Sequence, residues 1–270
     1  MKLYIDYGGT NFRYLFDDGE VQSFSSEDVD LKEFLDDIIK NNPTISSISI
    51  SFAGTVNGGK IIRSANTVTQ NFDVKSYIEK EYNINLEIQN DLNCAALAEF
   101  NTLHVESLAL FYIGTGFGSA FIDENRLILG SSNKSGELGH IPFKKSPFKC
   151  GCGRDDCLEL YASGSGIKRW CAYYQIDEKY SRLDLLEKLN DEKATLIVEN
   201  FYQTLAHAFH TTLNLFDFNN LVLGGSVGKN IKIKEFLEKE FLKSSFEREP
   251  LHVSLSTLEE GSLEGTKYLL

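Results

Sequence analysis

Two stretches decide the fold: YIDYGGTNFRYLFDDGEVQSF, Tyr4–Phe24, and LFYIGTGFGSAFIDENRLILG, Leu110–Gly130. Each runs through an apolar strand, a Gly-Thr turn, a second strand, a turn containing Asp and a third strand. The apolar segments are rich in aromatic and β-branched residues, which suit a pleated, half-buried surface. Asp18-Gly19 is a hairpin turn signal. Two copies of one plan predict two related lobes, each opening with a strand–loop–strand unit. A chance likeness between hairpins is the alternative reading.

Outward from these copies, strands and helices interleave. The segments at 45–54, 84–90, 219–225 and 251–258 read as strands, beside KLYID at 2–6 and SLALFYIG at 107–114. Helical spacing covers 28–42, 72–82, 91–103, 195–216 and 231–243, with a short helix after 258. This alternation predicts an α/β architecture. The expected division is a lobe over 1–112 and a second over 113–258. The terminal helix, about 259–270, is expected to pack back on the first.

The totals exclude several functions. Among 270 residues, 39 Asp and Glu outnumber 27 Lys and Arg, giving a net charge of −12. Nucleic-acid binding leans on clustered cations, and no Lys/Arg-rich run is present, so no nucleic-acid partner is expected. No apolar run reaches the roughly 18 residues a membrane span needs. Asp6 interrupts the place where a signal peptide keeps its apolar region. A cytoplasmic protein without a membrane partner is expected, with its thiols reduced. Five cysteines fit a disulfide framework poorly. Cys94 and Cys171 lie in apolar helical runs and read as buried small residues.

DYGGTN, Asp6–Asn11, places two glycines where backbone N–H groups can approach a phosphate, with Thr10 and Asn11 as side-chain donors. Asp6, at a strand end, could hold Mg²⁺ through its water shell. For Gly-Gly alone a plain β-turn is the simpler reading. GTGFG at 114–118 repeats the chemistry, and two such loops favour a polyphosphate. LVLGGSVGKN, Leu221–Asn230, is not a P-loop, because Leu223 stands at its first glycine and Asn230 at its final hydroxyl residue. GTGFG likewise fails the dinucleotide fingerprint. In NDLNCAALAE, Asp91 is either a helix cap or a base able to accept a hydroxyl proton, the part phosphoryl transfer still needs.

GELGHIPFKKSPFKCGCGRDDCLE, Gly136–Glu159, spaces its ligands His-x9-Cys-x-Cys-x4-Cys. Four soft ligands in eighteen residues match a closed, tetrahedral, structural zinc site. A redox Cys-x-x-Cys is absent, and bridging Cys150 to Cys152 would strain the loop. Free thiols are the alternative. Glu137 and Glu159 flank the segment, and two carboxylates with an imidazole can grip the hydroxyls of a sugar. Exposed, solvated glutamates are the simpler reading of each.

Together these motifs resemble the ROK family (repressor, open reading frame, kinase) of the actin-like sugar kinase superfamily, in the family's order and over nearly the whole chain. The resemblance implies two actin-like, ribonuclease H-like lobes around a central cleft, with a zinc knuckle at 140–157. It implies an ATP-dependent sugar kinase acting on a hexose or N-acetylhexosamine, with ATP, Mg²⁺ and structural Zn²⁺. The ATP phosphates fall to Gly8, Gly9, Thr10, Asn11, Thr115 and Gly116 beside Asp6, and the adenosine to Gly224 and Gly225. Asp91 matches the catalytic base. Asn66, Asn90, Asp91, Glu137, His140 and Glu159 match sugar-binding positions, and His140, Cys150, Cys152 and Cys157 the zinc ligands. A sugar-binding sensor without catalysis is the rival, and the family suggests a homodimer. Asp156 stands where the family usually has glycine, and Ala65 and Phe72 depart from many glucokinases. No helix-turn-helix precedes the first lobe, which argues against a DNA-binding repressor.

Overall fold

The first repeated stretch forms a meander of β1 (Lys2–Tyr7), β2 (Asn11–Phe16) and β3 (Gln22–Ser25). The structure is a computed structural model and describes residues 1–17, 19–64, 67–244 and 246–270. On its other side β1 pairs in parallel with β4 (Ser47–Phe52), and β4 in parallel with β8 (Asn85–Asn90), giving the order β3-β2-β1-β4-β8. A small antiparallel ribbon of β5 (Thr55–Asn57), β6 (Lys60–Arg63) and β7 (Phe72–Asp73) lies between β4 and β8 in sequence.

The second stretch repeats the plan. β9 (Leu108–Ile113) pairs antiparallel with β10 (Phe117–Asp123), and β11 (Arg126–Leu127) forms the edge. β9 also pairs in parallel with β12 (Asn220–Gly224), and β12 with β13 (His252–Leu255). The order β11-β10-β9-β12-β13 reproduces the first sheet strand for strand.

The chain divides into two units. The first holds Met1–His104, Leu127–Ser135 and Leu258–Leu270; the second holds Val105–Arg126 and Gly136–Thr257. The division expected at 112–113 falls earlier in the structure, because β9 is the central strand of the second sheet. The segment 127–135 returns to the first unit, where Asn133 Nδ2 donates to the Val56 carbonyl and to Gln89 Oε1.

The first core packs Leu3, Ile5, Ile48, Ile50, Leu86 and Ile88 of the sheet against Leu31, Leu35 and Ile38 of α1 (Leu31–Asn41) and Ile78 of α2 (Val74–Tyr82). On the opposite face, α3 (Asp91–Leu103) meets α9 (Gly261–Gly265) so closely that a Cβ on Gly265 would strike the Cys94 carbonyl. Tyr4, Leu15 and Leu263 form an apolar cluster there.

The second unit contains α4 (Gly164–Tyr173), α5 (Leu183–Leu186), the long α6 (Glu192–Phe216), the single turn α7 (Gly225–Gly228) and α8 (Ile231–Phe241). Phe201, Leu205, Phe209 and Leu213 supply the buried stripe of α6 at helical spacing. No described helix is long and apolar enough to cross a membrane.

Candidate functional site

In the first unit, strand register sets Asp6 of β1 beside Arg13 of β2 and Ser51 of β4. The Ser51 hydroxyl donates to Asp6 Oδ1 at 2.8 Å, and Arg13 Nη1 to Oδ2 at 3.4 Å. Asp6 is 5% exposed. Burial raises its pKa, and the donors from Ser51 and Arg13 only partly oppose the rise.

The turn beyond β1 closes when Gly8 N–H donates to the Asn11 carbonyl at 3.0 Å. A Cβ on Gly8 would lie 2.9 Å from that oxygen, so the turn needs glycine. Thr10 and Asn11 are exposed.

Asn90 ends β8 and caps α3: its Oδ1 accepts the Leu92 N–H at 2.9 Å, while its Nδ2 donates to the Gly54 carbonyl at 3.1 Å. The cap that the sequence allowed to Asp91 therefore belongs to Asn90. Asp91 is the first helical residue, and its Oδ1 also accepts from Leu92 N–H at 3.0 Å. Desolvation, and then the charge of Asp6, push the Asp91 carboxyl up to about 6. Asn66 lies outside the described residues.

In the second unit the turn after β9 is one residue shorter, with Gly114 N–H donating to the Gly116 carbonyl at 3.0 Å. The start of α4 docks on it: Gly164 N–H donates to the Gly114 carbonyl and Ser165 N–H to that of Thr115. Gly225 follows β12 with a φ of +80°, and a Cβ there would strike the Ile113 carbonyl. A pocket of about 760 Å³ opens beside this turn, lined among others by Thr115, Ser165, Lys168, Asp184, Val227 and Asn230.

The knuckle brings His140, Cys150, Cys152 and Cys157 together, with one ligand atom from each within 4.8 Å of all the others. Cys150 Sγ is 3.4 Å from His140 Nδ1, and Cys152 Sγ is 3.4 Å from Cys157 Sγ. Tetrahedral zinc with bonds of about 2.0–2.3 Å sets neighbouring ligand atoms about 3.5 Å apart, so the donor set fits zinc. All five cysteines are free, and Cys94 and Cys171 are buried. Asp156, at the family's usual glycine position, is absent from the left-handed residues, and its carboxylate pairs with Arg154 at 2.9 and 3.0 Å.

The same knuckle gathers the predicted sugar ligands of this unit. While Nδ1 of His140 faces the sulfurs, its Nε2 lies 3.8 Å from Glu137 Oε2. Glu159 Oε2 accepts the Phe117 N–H at 3.1 Å, and its Oε1 lies 3.5 Å from Cys150 Sγ. A Cβ on Gly116 would come within 2.5 Å of Glu159 Oε2. Glu159 thus joins the glycine turn to the Cys3His cluster.

The sequence profile of the ROK family matches residues 3–269. The chain belongs to the ROK family. An N-acetyl-D-glucosamine kinase of Vibrio vulnificus is 29% identical over 213 residues, 73% of this chain and 70% of that protein. A xylose repressor of Bacillus subtilis is 30% identical over 171 residues, 62% of this chain and 44% of the repressor. The crystal structure of a ROK hexokinase from Thermus thermophilus superposes with a TM-score of 0.81 at 23% identity, covering 98% of this chain and 95% of that one. The repeated sheets are therefore those of the actin-like ROK fold.

Within this ROK chain, sequence reading missed Ser51 and Arg13 as partners of Asp6, and the pocket residues of α4 and α5. Alternate serines in SISIS marked one small, polar strand face, a usable signal for Ser51. Nothing local marked Lys168 or Asp184.

Proposed function

We propose that this ROK protein is an ATP-dependent sugar kinase, passing the γ-phosphoryl group of ATP to a hydroxyl of a hexose or N-acetylhexosamine. The observation that carries the reading is Asp91: a carboxylate that shares the Leu92 N–H with the Asn90 cap through one oxygen only, with burial and the charge of Asp6 raising its pKa to about 6. A general base works best with a pKa near the operating pH.

In this reading Asp91 orients the acceptor hydroxyl and takes its proton as the oxygen attacks phosphorus. Asn66, Asn90, Glu137, His140 and Glu159 hold the sugar. Backbone N–H groups of the turns around Gly8, Gly9, Thr10 and Asn11, and around Thr115 and Gly116, hold the phosphates. The pocket beside Gly224 and Gly225 takes the nucleoside. Asp6 holds Mg²⁺ through water; the ion, when bound, offsets charge on the phosphate oxygens. His140, Cys150, Cys152 and Cys157 hold structural zinc, which pins the loops bearing Glu137 and Glu159. The relative named for N-acetyl-D-glucosamine supports a sugar acceptor.

The test is ADP release with Mg-ATP across hexoses and N-acetylhexosamines, with Asp91→Asn beside the wild type. Sugar-dependent turnover that disappears in Asp91→Asn is the expected result. A folded, zinc-loaded wild type silent across the panel overturns the kinase reading in favour of a sugar sensor.

A further inference from the structure

Asp6 sits at one end of a chain of polar contacts that reaches far along the sequence. Ser51 donates to one carboxylate oxygen and Arg13 to the other. The Arg13 Nε in turn lies 3.4 Å from Glu260 Oε1, just before α9. One guanidinium therefore stands between two carboxylates, and its side chain is 27% exposed.

We propose that Arg13, held by Glu260, is a positioning residue that fixes the Asp6 carboxylate in place, so that the segment 258–270 completes the metal-binding end of β1. This rests on the kinase reading, in which Asp6 holds Mg²⁺.

Three observations direct the pair toward Asp6 rather than toward anchoring the segment. The segment is already anchored by Leu263, 3% exposed against Tyr4 and Leu15, and by the close approach of Gly265 to Cys94. Asp6 is buried, and the Arg13 guanidinium reaches its Oδ2 at 3.4 Å. Ser51 donates to one Asp6 oxygen and Arg13 to the other, which fixes the carboxylate plane and leaves lone pairs for the waters of a divalent cation.

The test measures Mn²⁺ binding in the presence of ADP by electron paramagnetic resonance, on the full chain, beside Mg²⁺ activation of turnover. Partners outside a metal's own ligand set typically change affinity by about 10- to 100-fold. Arg13→Met is expected to weaken Mn²⁺ binding within that range, and to raise the half-activating Mg²⁺ concentration in step while sugar KM holds. Arg13→Lys should recover part of the loss, and Glu260→Gln should show a smaller loss of the same kind. A folded Arg13→Met with wild-type Mn²⁺ affinity overturns the inference. Should Arg13→Met not fold, Glu260→Gln decides, and unchanged Mn²⁺ affinity in it overturns the inference equally. A wild type that binds no Mn²⁺ with ADP overturns the kinase reading and this inference together.

Discussion

In the first sheet, the next-to-last residue of the central strand is Asp6, flanked by Arg13 and Ser51; in the second it is Tyr112, flanked by Gly118 and Gly224. The backbone address is the same and the chemistry is opposite. Ser51 and Arg13 bring donors to a buried carboxylate. Gly118 and Gly224 bring no side chains, and a Cβ on Gly224 would lie 2.6 Å from the Tyr112 ring. Repeating a hydrogen-bonded ladder repeats strand order and pairing direction, because those are properties of the backbone. It leaves the side chains free to diverge, so the charge site is built once, in the unit that also carries Asp91.

The sharpest way to break this asymmetry is Asp91→Asn, expected to lower kcat by roughly 10²- to 10⁴-fold. In the wild type, kcat/KM should fall tenfold per pH unit below about 6, because the base must be ionised and its carboxyl is raised to that value. Stability should move the other way. A carboxyl raised from 3.8 to about 6 binds its proton more tightly folded than unfolded. Its ionised form therefore costs stability above pH 6, and that cost fades as pH falls from 6 towards 4. Asp91→Asn should thus melt at or above the wild-type temperature at pH 7.5, gaining about 1 kcal/mol after solvent screening. A mutant that loses activity by unfolding would refute the assignment.

Metal removal tests the second unit in the same spirit. Trp170, the chain's single tryptophan, packs with Phe148 and Tyr161 on the cluster that includes Cys150 and Cys157. Chelation of one zinc per chain should change Trp170 fluorescence and raise sugar KM before nucleotide binding weakens. Freshly purified, active protein without zinc would sink the knuckle's proposed role.

A smaller effect sharpens the Tyr112 side. Gly224→Ala should cost about 1–3 kcal/mol through overpacking, and Tyr112→Ala in the same chain should recover part of it. Additive losses in thermal melts would show that the ring is not the obstacle. The smallest expected change lies outside both strand ends. Burial works against an ionised Asp36, yet donors from Lys32, Tyr82 and Tyr77 prevail and hold its carboxyl at about 2. The resulting stability is present above about pH 4 and is lost as pH falls towards 2. Tyr77→Phe should remove about 1 kcal/mol at pH 7 and less at pH 2.5, read by urea unfolding at each pH.

Much of the fold was legible because its signals are local. The two Gly-Thr turns, the amphipathic helices and the His-x9-Cys-x-Cys-x4-Cys spacing each lie within a few turns of chain. The ribbon β5–β7 was missed although Asn57-Gly58-Gly59 announced its turn, and both glycines adopt positive φ, at +57° and +84°. At the site, Asn90 and Asp91 could not be told apart as caps, since either side chain can serve and only the strand's exit angle chooses. Arg13 and Glu260 were illegible for another reason: no periodicity links residues so far apart, and only α9 settling on α3 brings them together.

That settling also bears on how the protein is made. The second unit has all its residues, 105–126 and 136–257, before the first has its last, 258–270. On the ribosome the N-terminal sheet must therefore wait, its Cys94 face uncovered, until the sequence around Leu263 and Gly265 emerges. The unit begun first is finished second, and an mRNA truncated after codon 257 would yield a complete second unit attached to a first whose Arg13 has no Glu260 to meet.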